Sequence, residues 1–463
     1  RELIKLLRMD EPLWIKSPVD DHLVLDHDSY NKIIPQSAGS RFLRSRRESS
    51  KDTGVVNMDA RLLVDLYLDR DEWLHHFPTA VSKVKTIDVL AAGYSGTRSG
   101  LLQLVHEQMH ILSPLIQPQE FCILRYCRQI ETGVWVIADV SCDLRHNCGV
   151  SRTSCWKHPS GCMIKCMSNG RSKVTCVEHV EIDDVFLVHP AHEDLVKSAF
   201  RLGAKRWLMT LQKTCERYFY MSERGGPGPE LGGGRRSMIM LAFRMVRSYC
   251  SVFSFLSTRD LHQLSQLSRN GVQIALRKST CPGQPIGIVI LAASSFWIPA
   301  SPLRISEYLS DPKMRSQWDV LCFGNHVCEI MRIPTGRHSV NHISVLQALN
   351  PTENVIFQET MMEPSGALIV YAPIHASIVS QLAMGMDSTT IPILASGFAV
   401  NGRRAALATT PGIPGSGGSF LTVGFQFLAC SSLSTEDVGV NMIPTVHSFV
   451  NRTIRLIKAA FDC

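Results

Sequence analysis

The segment from residue 121 to residue 141, FCILRYCRQIETGVWVIADVS, decides the fold of the first half of the chain. Strand-like runs lie on either side of Glu131-Thr132-Gly133, which is typical of a hairpin turn. Paired positions across a turn centred on Thr132 sum to a constant, so Arg125 lies directly opposite Asp139. The segment therefore predicts an antiparallel hairpin in which an arginine faces a carboxylate.

A second hairpin and a helix follow this segment. Strand-like runs at 163–167 and 174–180 flank Asn169-Gly170, the strongest short hairpin signal that a sequence offers. An amphipathic helix is then predicted, because residues recur at three- and four-residue steps at Val196, Phe200, Gly203, Trp207, Leu211 and Cys215. An antiparallel sheet can bury such a helix in its concave face, an architecture called a helix grip.

The second half of the chain repeats this order of features. Leu66–Asp69 followed by Trp73 corresponds to Glu307–Asp311 followed by Trp318, which indicates a weak internal duplication. The second half also ends in an amphipathic helix, with apolar residues at Val446, Val450, Ile454, Ile457 and Phe461. We therefore predict an α+β fold of two tandem helix-grip modules, each a curved antiparallel sheet packed on a long C-terminal helix.

A glycine- and proline-rich stretch divides the two halves. Residues 225–234, GGPGPELGGG, have no apolar periodicity and a high turn content, which predicts a linker. The predicted boundaries are 1–222 for the first module, 223–236 for the linker and 237–463 for the second module.

The composition is that of a globular protein, with 45% hydrophobic and 19% charged residues over 463 positions. The net charge of +7 is too mild for a nucleic-acid footprint at this length. The 15 cysteines follow no regular frame, which predicts free thiols in a reducing compartment. The longest apolar run, 285–300, is shorter than a bilayer span needs, so no transmembrane segment is predicted.

Several motifs in order resemble a known family. In the first half these are His158–Cys162, Ser172–Thr175, Glu178-His179 and Gly203–Trp207, which resemble the START lipid-binding domain of plant class IV homeodomain-leucine zipper proteins. In the second half they are Pro285–Val289, Ser295–Pro299, Trp318–Leu321 and Val370–Pro373, which resemble the START-adjacent region of the same proteins.

The resemblance implies a nuclear protein, or a cytoplasmic one if it acts as a truncated form. This sequence contains neither a homeodomain recognition helix nor leucine heptads. DNA binding is therefore implied for full-length relatives only, and no direct DNA contact is expected from this chain.

The Arg125–Asp139 pair has two interpretations. It is either a polar anchor for a ligand headgroup inside an apolar cavity or a solvent-facing ion pair, and both faces of the hairpin are apolar enough for either. The resemblance favours the cavity, because residues 121–125 resemble the START strand whose arginine points inward. Its partner carboxylate in the family comes from the preceding strand, where the matching position is Gln108, with Glu107 beside it.

The expected ligand-binding residues share this inward face or the gripping helix. They are Arg125, Asp139, Gln108, Trp135, Phe121, Ile123, Ile137, Phe200, Gly203 and Trp207.

Metal and catalytic motifs are weaker. His106-Glu107-Gln108-Met109-His110 matches the zinc-protease HExxH pattern, but its surroundings are typical of a strand rather than the helix that this chemistry requires. The cysteines at 142–176 are better explained as ordinary thiols than as a zinc cluster. No nucleophile–base set emerges, so neither an enzyme nor a cofactor or metal is predicted.

Two further features have a structural interpretation. The basic run Arg41, Arg44, Arg46, Arg47 and Lys51 is either a nuclear-import or phospholipid-facing patch or, as we favour, a solvated loop. In the second half, alignment of Gly366 with Gly133 places Gln358 and Ala372 where the first half has Arg125 and Asp139. The second module is therefore expected to be a structural or partner-docking module.

The leading functional hypothesis is a ligand-sensing region of a transcriptional regulator that binds a lipid, a sterol or a related apolar molecule. The alternatives are a stand-alone lipid-transfer protein and an interaction scaffold with a filled cavity. Further partners are other transcription regulators or a second copy of the chain.

Overall fold

The computed structural model describes residues 1–17, 22–34, 41–42, 45–143, 155–183, 203–221, 233–256, 271–322, 324–349, 353–363, 366–402, 418–433 and 442–463. The chain divides into two compact units. The first contains residues 1–111 and 116–215, and the second contains residues 112–115 and 216–463.

The first unit is built on an antiparallel sheet of ten described strands. They are β1 (Trp14–Lys16), β2 (Leu23–Leu25), β3 (Ser45–Val56), β4 (Val81–Ala92), β5 (Leu101–Met109), β6 (Gln119–Glu131), β7 (Val134–Ser141), β8 (Cys155–Lys157), β9 (Ser160–Cys166) and β10 (Ser172–Asp183). The spatial order is β1-β2-β3-β10-β9-β7-β6-β5-β4, and β8 pairs with β10. Both predicted hairpins are confirmed, and Asn169 and Gly170 adopt the positive φ of a tight turn.

Helices cover both faces of this sheet. The described helices are α1 (Glu2–Arg8), α2 (His27–Ile33), α3 (Ala60–Leu68), α4 (Arg70–His76) and α5 (Ala204–Met221), and a 3₁₀ turn lies at Ser168–Gly170. One face packs under α3, α4 and α5, where Trp73 and Trp207 join the main core. The other face packs under the N-terminal segment, where Trp14 contacts the cluster that contains Val136 and Val177. Both faces of the β6–β7 hairpin are apolar because both are covered.

Most of the described basic run is not a loop, which corrects our interpretation, although Arg41 is exposed in a bend before the strand. Arg46, Arg47 and Lys51 lie on β3, between β2 and β10 in the sheet. Lys51 is 6% exposed, and its Nζ donates to the backbone oxygen of Met9 and to Asp10. Arg44 lies outside the described residues. Glu48, Glu181 and Asp10 form ion pairs with Arg46, Arg47 and Lys51, and hence this part of the run joins the sheet instead of remaining solvated.

The second unit is an antiparallel sheet of eight described strands. They are β11 (Gln273–Ser279), β12 (Gly287–Ile298), β13 (Val327–Pro334), β14 (His342–Ala348), β15 (Asn354–Glu363), β16 (Gly366–His375), β17 (Ser396–Gly402) and β18 (Ser419–Cys430). The order is β11-β12-β18-β17-β16-β15-β14-β13. Its described helices are α6 (Gly233–Leu256), α7 (Pro302–Ser310), α8 (Pro312–Trp318), α9 (Ala376–Ala383) and α10 (Met442–Ala459), and a 3₁₀ turn lies at Val320–Cys322.

The predicted α+β helix-grip fold is confirmed, with one addition in the second unit. Helix α10 packs on one face of the sheet, as expected, in a core that contains Trp318 and Phe398. Helix α6 packs with α9 on the opposite face, in a core of its own that contains Tyr249 and Phe357. The sheet is thus enclosed between two long helices instead of gripping only one.

Helix α6 also changes the predicted end of the linker. Residues 233–236, which we assigned to the linker, form its first turn, and residues 222–232 lie outside the described part of the chain. The helix is long and apolar enough, by length and composition, to cross a membrane. Most of its side chains are buried against the sheet and α9, as expected of a helix at the centre of a globular core.

Gly234 is needed where α6 meets α9. A Cβ at this position would lie 2.0 Å from the backbone oxygen of Ala383, whereas a Cβ at Gly233 would have Gly385 Cα as its nearest neighbour, at 3.9 Å. We expect Gly234→Ala to lower the free energy of unfolding by about 1–3 kcal/mol through overpacking, measured by thermal unfolding. The matched control Gly233→Ala should leave stability unchanged or raise it, and equal effects of the two would contradict this packing.

Candidate functional site

The predicted pairing of Arg125 with Asp139 is confirmed across β6 and β7. Arg125 is 3% exposed, and its Nε and Nη2 donate to the two carboxylate oxygens of Asp139 at 2.8 Å each. Its Nη1 donates to the backbone oxygen of Tyr67 at 3.0 Å. Arg125 therefore faces the helix-covered core, and all three of its nitrogens already have acceptors within the protein.

The second carboxylate comes from Glu107 and not from Gln108, which corrects our expectation. Arg125 Nη2 donates to Glu107 Oε2 at 3.2 Å, and Glu107 is 1% exposed. Gln108 lies next along β5, where side chains alternate between faces, and it hydrogen-bonds Ser82 and Glu120 instead. The carboxylate that faces Arg125 thus lies one residue before the position expected from the family resemblance.

The pKa values in this cluster follow from its charges. Burial alone would lower the pKa of Arg125, but Asp139 and Glu107 raise it above its ordinary value. Burial alone would raise the pKa of Asp139, but Arg125 holds it below its ordinary value. Arg125 and Asp139 are therefore both charged in the interior.

Sequence reasoning missed a second charged pair beside this one. Lys157 on β8 and Glu178 on β10 are buried, with Lys157 Nζ 3.5 Å from Glu178 Oε2 and 5.3 Å from the centre of the Phe121 ring. Burial raises the pKa of Glu178 to about 7, although Lys157 opposes this shift. Glu178 lies within a motif that resembles the family, but alternation along β10 alone does not reveal which residue of β8 faces it.

Two stacked tryptophans close the space over these charges. The rings of Trp73 from α4 and Trp207 from α5 lie 5.1 Å apart with an interplanar angle of 21°. Trp73 Nε1 also donates to Glu107 Oε1 at 3.4 Å, and the Arg125 guanidinium lies 5.1 Å from the Trp73 ring. The aromatic layer formed by Trp73 and Trp207 is therefore hydrogen-bonded to the charged cluster as well as packed on it.

The space enclosed by these residues is small. The pocket among the described residues at the cluster has a volume of about 20 Å³, enough for a single water molecule. Its lining includes Arg125, Asp139, Ile137 and Trp207 from the expected set, together with Glu107, Lys157 and Glu178. The hollow predicted from the sequence is therefore not present at this position in the described part of the unit.

The other expected site residues lie elsewhere. Phe121 and Ile123 are buried in the main core beside the pocket, and Gly203 precedes the first turn of α5. Trp135 shares that core but also lines a separate cleft. Phe200 lies outside the described residues.

The HExxH motif has a structural role. Residues 106–109 lie on strand β5, as expected, and Glu107 neutralises Arg125. His110 is buried, its ring contacts the backbone oxygen of Pro78, and burial lowers its pKa to about 4. Within the described ranges, no group of three histidine, cysteine or acidic residues is arranged to hold a metal ion, and the cysteines are free thiols.

The second unit also has a buried arginine, but it lies on a helix and not on a strand. Arg315 of α8 donates from Nε to Asp319 at 2.9 Å and from Nη1 to Gln358 at 2.7 Å. Gln358 pairs with Tyr371 and not with Ala372, which corrects the predicted register. The β6–β7 hairpin has an irregularity next to its turn that the β15–β16 hairpin lacks, so alignment on the turn glycines shifts the register by one residue.

Removal of Arg125 should destabilise the first unit. Arg125→Leu leaves the carboxylates of Asp139 and Glu107 buried without their cation, so we expect a loss of about 3–5 kcal/mol in the free energy of unfolding. Urea unfolding measures this loss. Arg128→Leu, at an exposed position on the same strand, is the control and should change stability by about 0.5 kcal/mol or less. An Arg125→Leu variant as stable as the wild type would show that the cluster is not neutralised in this way.

The raised pKa of Glu178 predicts a pH dependence. The folded chain binds the proton of the Glu178 carboxyl more tightly than the unfolded chain does. The stability that the protonated Glu178 contributes is therefore complete below about pH 4.5 and is lost as the pH rises through about 7. Glu178→Gln keeps a neutral group there. We expect the variant to gain on the order of 3 kcal/mol relative to the wild type between these pH values, measured by thermal unfolding. Glu131→Gln, at an exposed position, should show no such trend, and a pH-independent difference for Glu178→Gln would contradict the assignment.

Comparison with known proteins supports the resemblance. Residues 1–217 match the START domain family, and residues 232–463 match the family described as PDF2-like, C-terminal domain. Homeobox-leucine zipper protein HDG11 of Arabidopsis thaliana is 37% identical over 478 residues, covering 100% of this chain and 65% of the relative. Homeobox-leucine zipper protein ROC8 of Oryza sativa subsp. japonica is 39% identical over 495 residues, covering 100% of this chain and 69% of the relative.

A solved structure, human StAR-related lipid transfer protein 5, aligns with a TM-score of 0.32 and 12% identity over 47% of this chain and 93% of that chain. Family membership follows instead from the two family models and from the homeobox relatives. The chain belongs to the class IV family of plant homeobox-leucine zipper proteins, in the part of those proteins that holds the START domain and the PDF2-like C-terminal domain.

Proposed function

We propose that the first unit binds an apolar, lipid-like ligand and that this binding regulates a nuclear transcriptional regulator of the homeobox-leucine zipper type. Membership of the START family, whose domains bind lipids, supports the ligand class. The relatives are homeobox proteins, which supports the regulatory and nuclear context. In this function the first unit binds the ligand, and neither unit catalyses a reaction or contacts DNA directly.

The observation that carries the proposal is the Lys157–Glu178 pair in an apolar interior. Glu178 Oε2 is buried and has no hydrogen-bond partner among the described residues, and Lys157 Nζ lies 3.5 Å from it. A buried charged pair costs free energy unless further hydrogen bonds satisfy it. A ligand hydroxyl that donates to Glu178 and accepts from Lys157 supplies those bonds. The polar end of the ligand is thus assigned to this pair, while Arg125 positions the surrounding carboxylates.

The apolar body of the ligand then requires movement of the aromatic layer. A lipid-sized ligand occupies roughly 300 Å³ or more, whereas the described pocket has about 20 Å³. Separation of Trp73 from Trp207 opens the space directly over Lys157 and Glu178. Burial of apolar ligand surface, about 25 cal/mol per Å², offsets the cost of breaking that stack.

Two alternatives predict different behaviour. The small pocket favours an interaction scaffold with a filled interior, in which the charged cluster only specifies the packing. A stand-alone lipid-transfer protein would release its ligand to acceptor vesicles. In either case the second unit, whose sheet is enclosed by two helices, is assigned a structural or partner-docking role, with other transcription regulators or a second copy of the chain as partners.

Native mass spectrometry of the purified full chain tests the proposal. We expect a co-purifying or added sterol or phospholipid to remain bound to the wild type and to raise its unfolding temperature, as linkage requires. Glu178→Gln should bind about tenfold more weakly, because one hydrogen bond to a charged group is replaced by a neutral one. The control Glu131→Gln should behave as the wild type.

The other outcomes identify the alternatives. If no lipid of any class binds or changes the unfolding temperature, the scaffold is correct. If the chain moves lipid between donor and acceptor vesicles faster than spontaneous exchange, transfer replaces sensing.

A further inference from the structure

A cleft on the first unit lies apart from the interior pocket, between the start of α3 and the loop that joins β4 to β5. Its volume is about 480 Å³, which is within the range of small-molecule sites. Val64 and Trp135, both buried, contribute its apolar lining, and Arg61, Arg98 and Gln129 contribute exposed polar groups. Apolar surface and hydrogen-bond donors thus meet in one concave site.

The charges of this cleft are unbalanced. Arg98 Nε donates to Asp65 Oδ1 at 2.7 Å, which neutralises one cation. The guanidinium of Arg61 has no hydrogen-bond or ion-pair partner among the residues that the structure describes. Two arginines and one aspartate leave the cleft with one net positive charge.

The loop that forms one wall is held in place by hydrogen bonds to the backbone of β6. Gly100 N donates to the Cys127 backbone oxygen at 2.8 Å, and Gln129 N donates to Ser99 Oγ at 3.0 Å, so the loop is attached to β6. Gly96 has a φ of +74°, which lets the chain turn where a side chain would be strained. The cleft is therefore formed without a ligand, which reduces the ordering cost of binding.

We propose that this cleft binds a phosphate ester. A guanidinium matches the oxygens of a phosphate with two parallel N–H donors, and the terminal nitrogens of Arg98 and the whole guanidinium of Arg61 supply such donors. The amide of Gln129 adds a neutral donor. The phosphate fills only part of the volume, and the organic part of the ester lies against Val64 and Trp135. This site is independent of the interior pocket and of the function proposed for it.

The phosphate has two sources, a soluble ester or the headgroup of a phospholipid in a bilayer. Leu62 and Tyr94, on the same two segments, are 60% and 72% exposed, so apolar side chains accompany the cleft at the surface. Separate experiments with each source distinguish them.

Titration of the full chain with phenyl phosphate, followed by calorimetry, tests the soluble source. Sedimentation with vesicles of phosphatidylcholine, with and without phosphatidylglycerol, tests the headgroup. We expect the double variant Arg61→Gln, Arg98→Gln to lose about tenfold or more in affinity for whichever probe binds. Arg128→Gln, the matched loss of an exposed charge on β6 outside the cleft, should stay within about twofold of the wild type.

Binding of phenyl phosphate identifies a soluble ester, and binding only to vesicles that contain phosphatidylglycerol identifies a headgroup. The proposal is overturned if the wild type binds neither probe. It is also overturned if Arg128→Gln weakens binding as much as the double variant, because net charge then explains the effect. Glu178→Gln should retain phosphate binding, which separates a failure here from a failure of the interior site.

Discussion

One guanidinium, buried at the centre of the first unit, must be neutralised where little water reaches it. Arg125 meets this constraint through a carboxylate on the facing strand, a second on the neighbouring strand, and a backbone oxygen of α3. A buried ion is tolerated only when partners surround it on several sides. The hairpin register, the position of β5 and the placement of α3 are therefore linked through a single side chain.

The two units cover the faces of their antiparallel sheets with different elements. In the first, α3, α4 and α5 cover one face, and the N-terminal segment with α1 and α2 covers the other, with Trp14 anchored by a hydrogen bond from its indole to the Leu6 backbone oxygen at 2.9 Å. In the second, α6 and α10 cover opposite faces, and each face has its own apolar core. The charged cluster belongs to the first arrangement, whereas the second holds a buried arginine supplied by a helix instead of a strand.

Sequence reasoning reached the fold because hairpin and helix periodicities are local signals. The pairing of Arg125 with Asp139 followed from counting across one turn, and the strand character of the HExxH segment followed from its neighbours. Features that depend on packing between residues far apart in the sequence could not be predicted. The family resemblance placed the partner carboxylate at Gln108, whereas the folded strand presents Glu107. Lys157 approaches Glu178 only when β8 joins β10, and the burial of α6 depends on a second face that composition does not reveal. The same limit explains the basic run, whose counter-charges come from residues far along the chain.

The stacked pair of Trp73 and Trp207 has a practical consequence. Indoles 5.1 Å apart couple electronically, and their near-ultraviolet circular dichroism depends on the angle between the rings. One ring comes from α4 and the other from α5, so the contribution of this pair to the signal of the seven tryptophans changes when the two helices separate. The chain thus contains an intrinsic optical probe at the point where its interior would have to open, and no external label is needed to observe it.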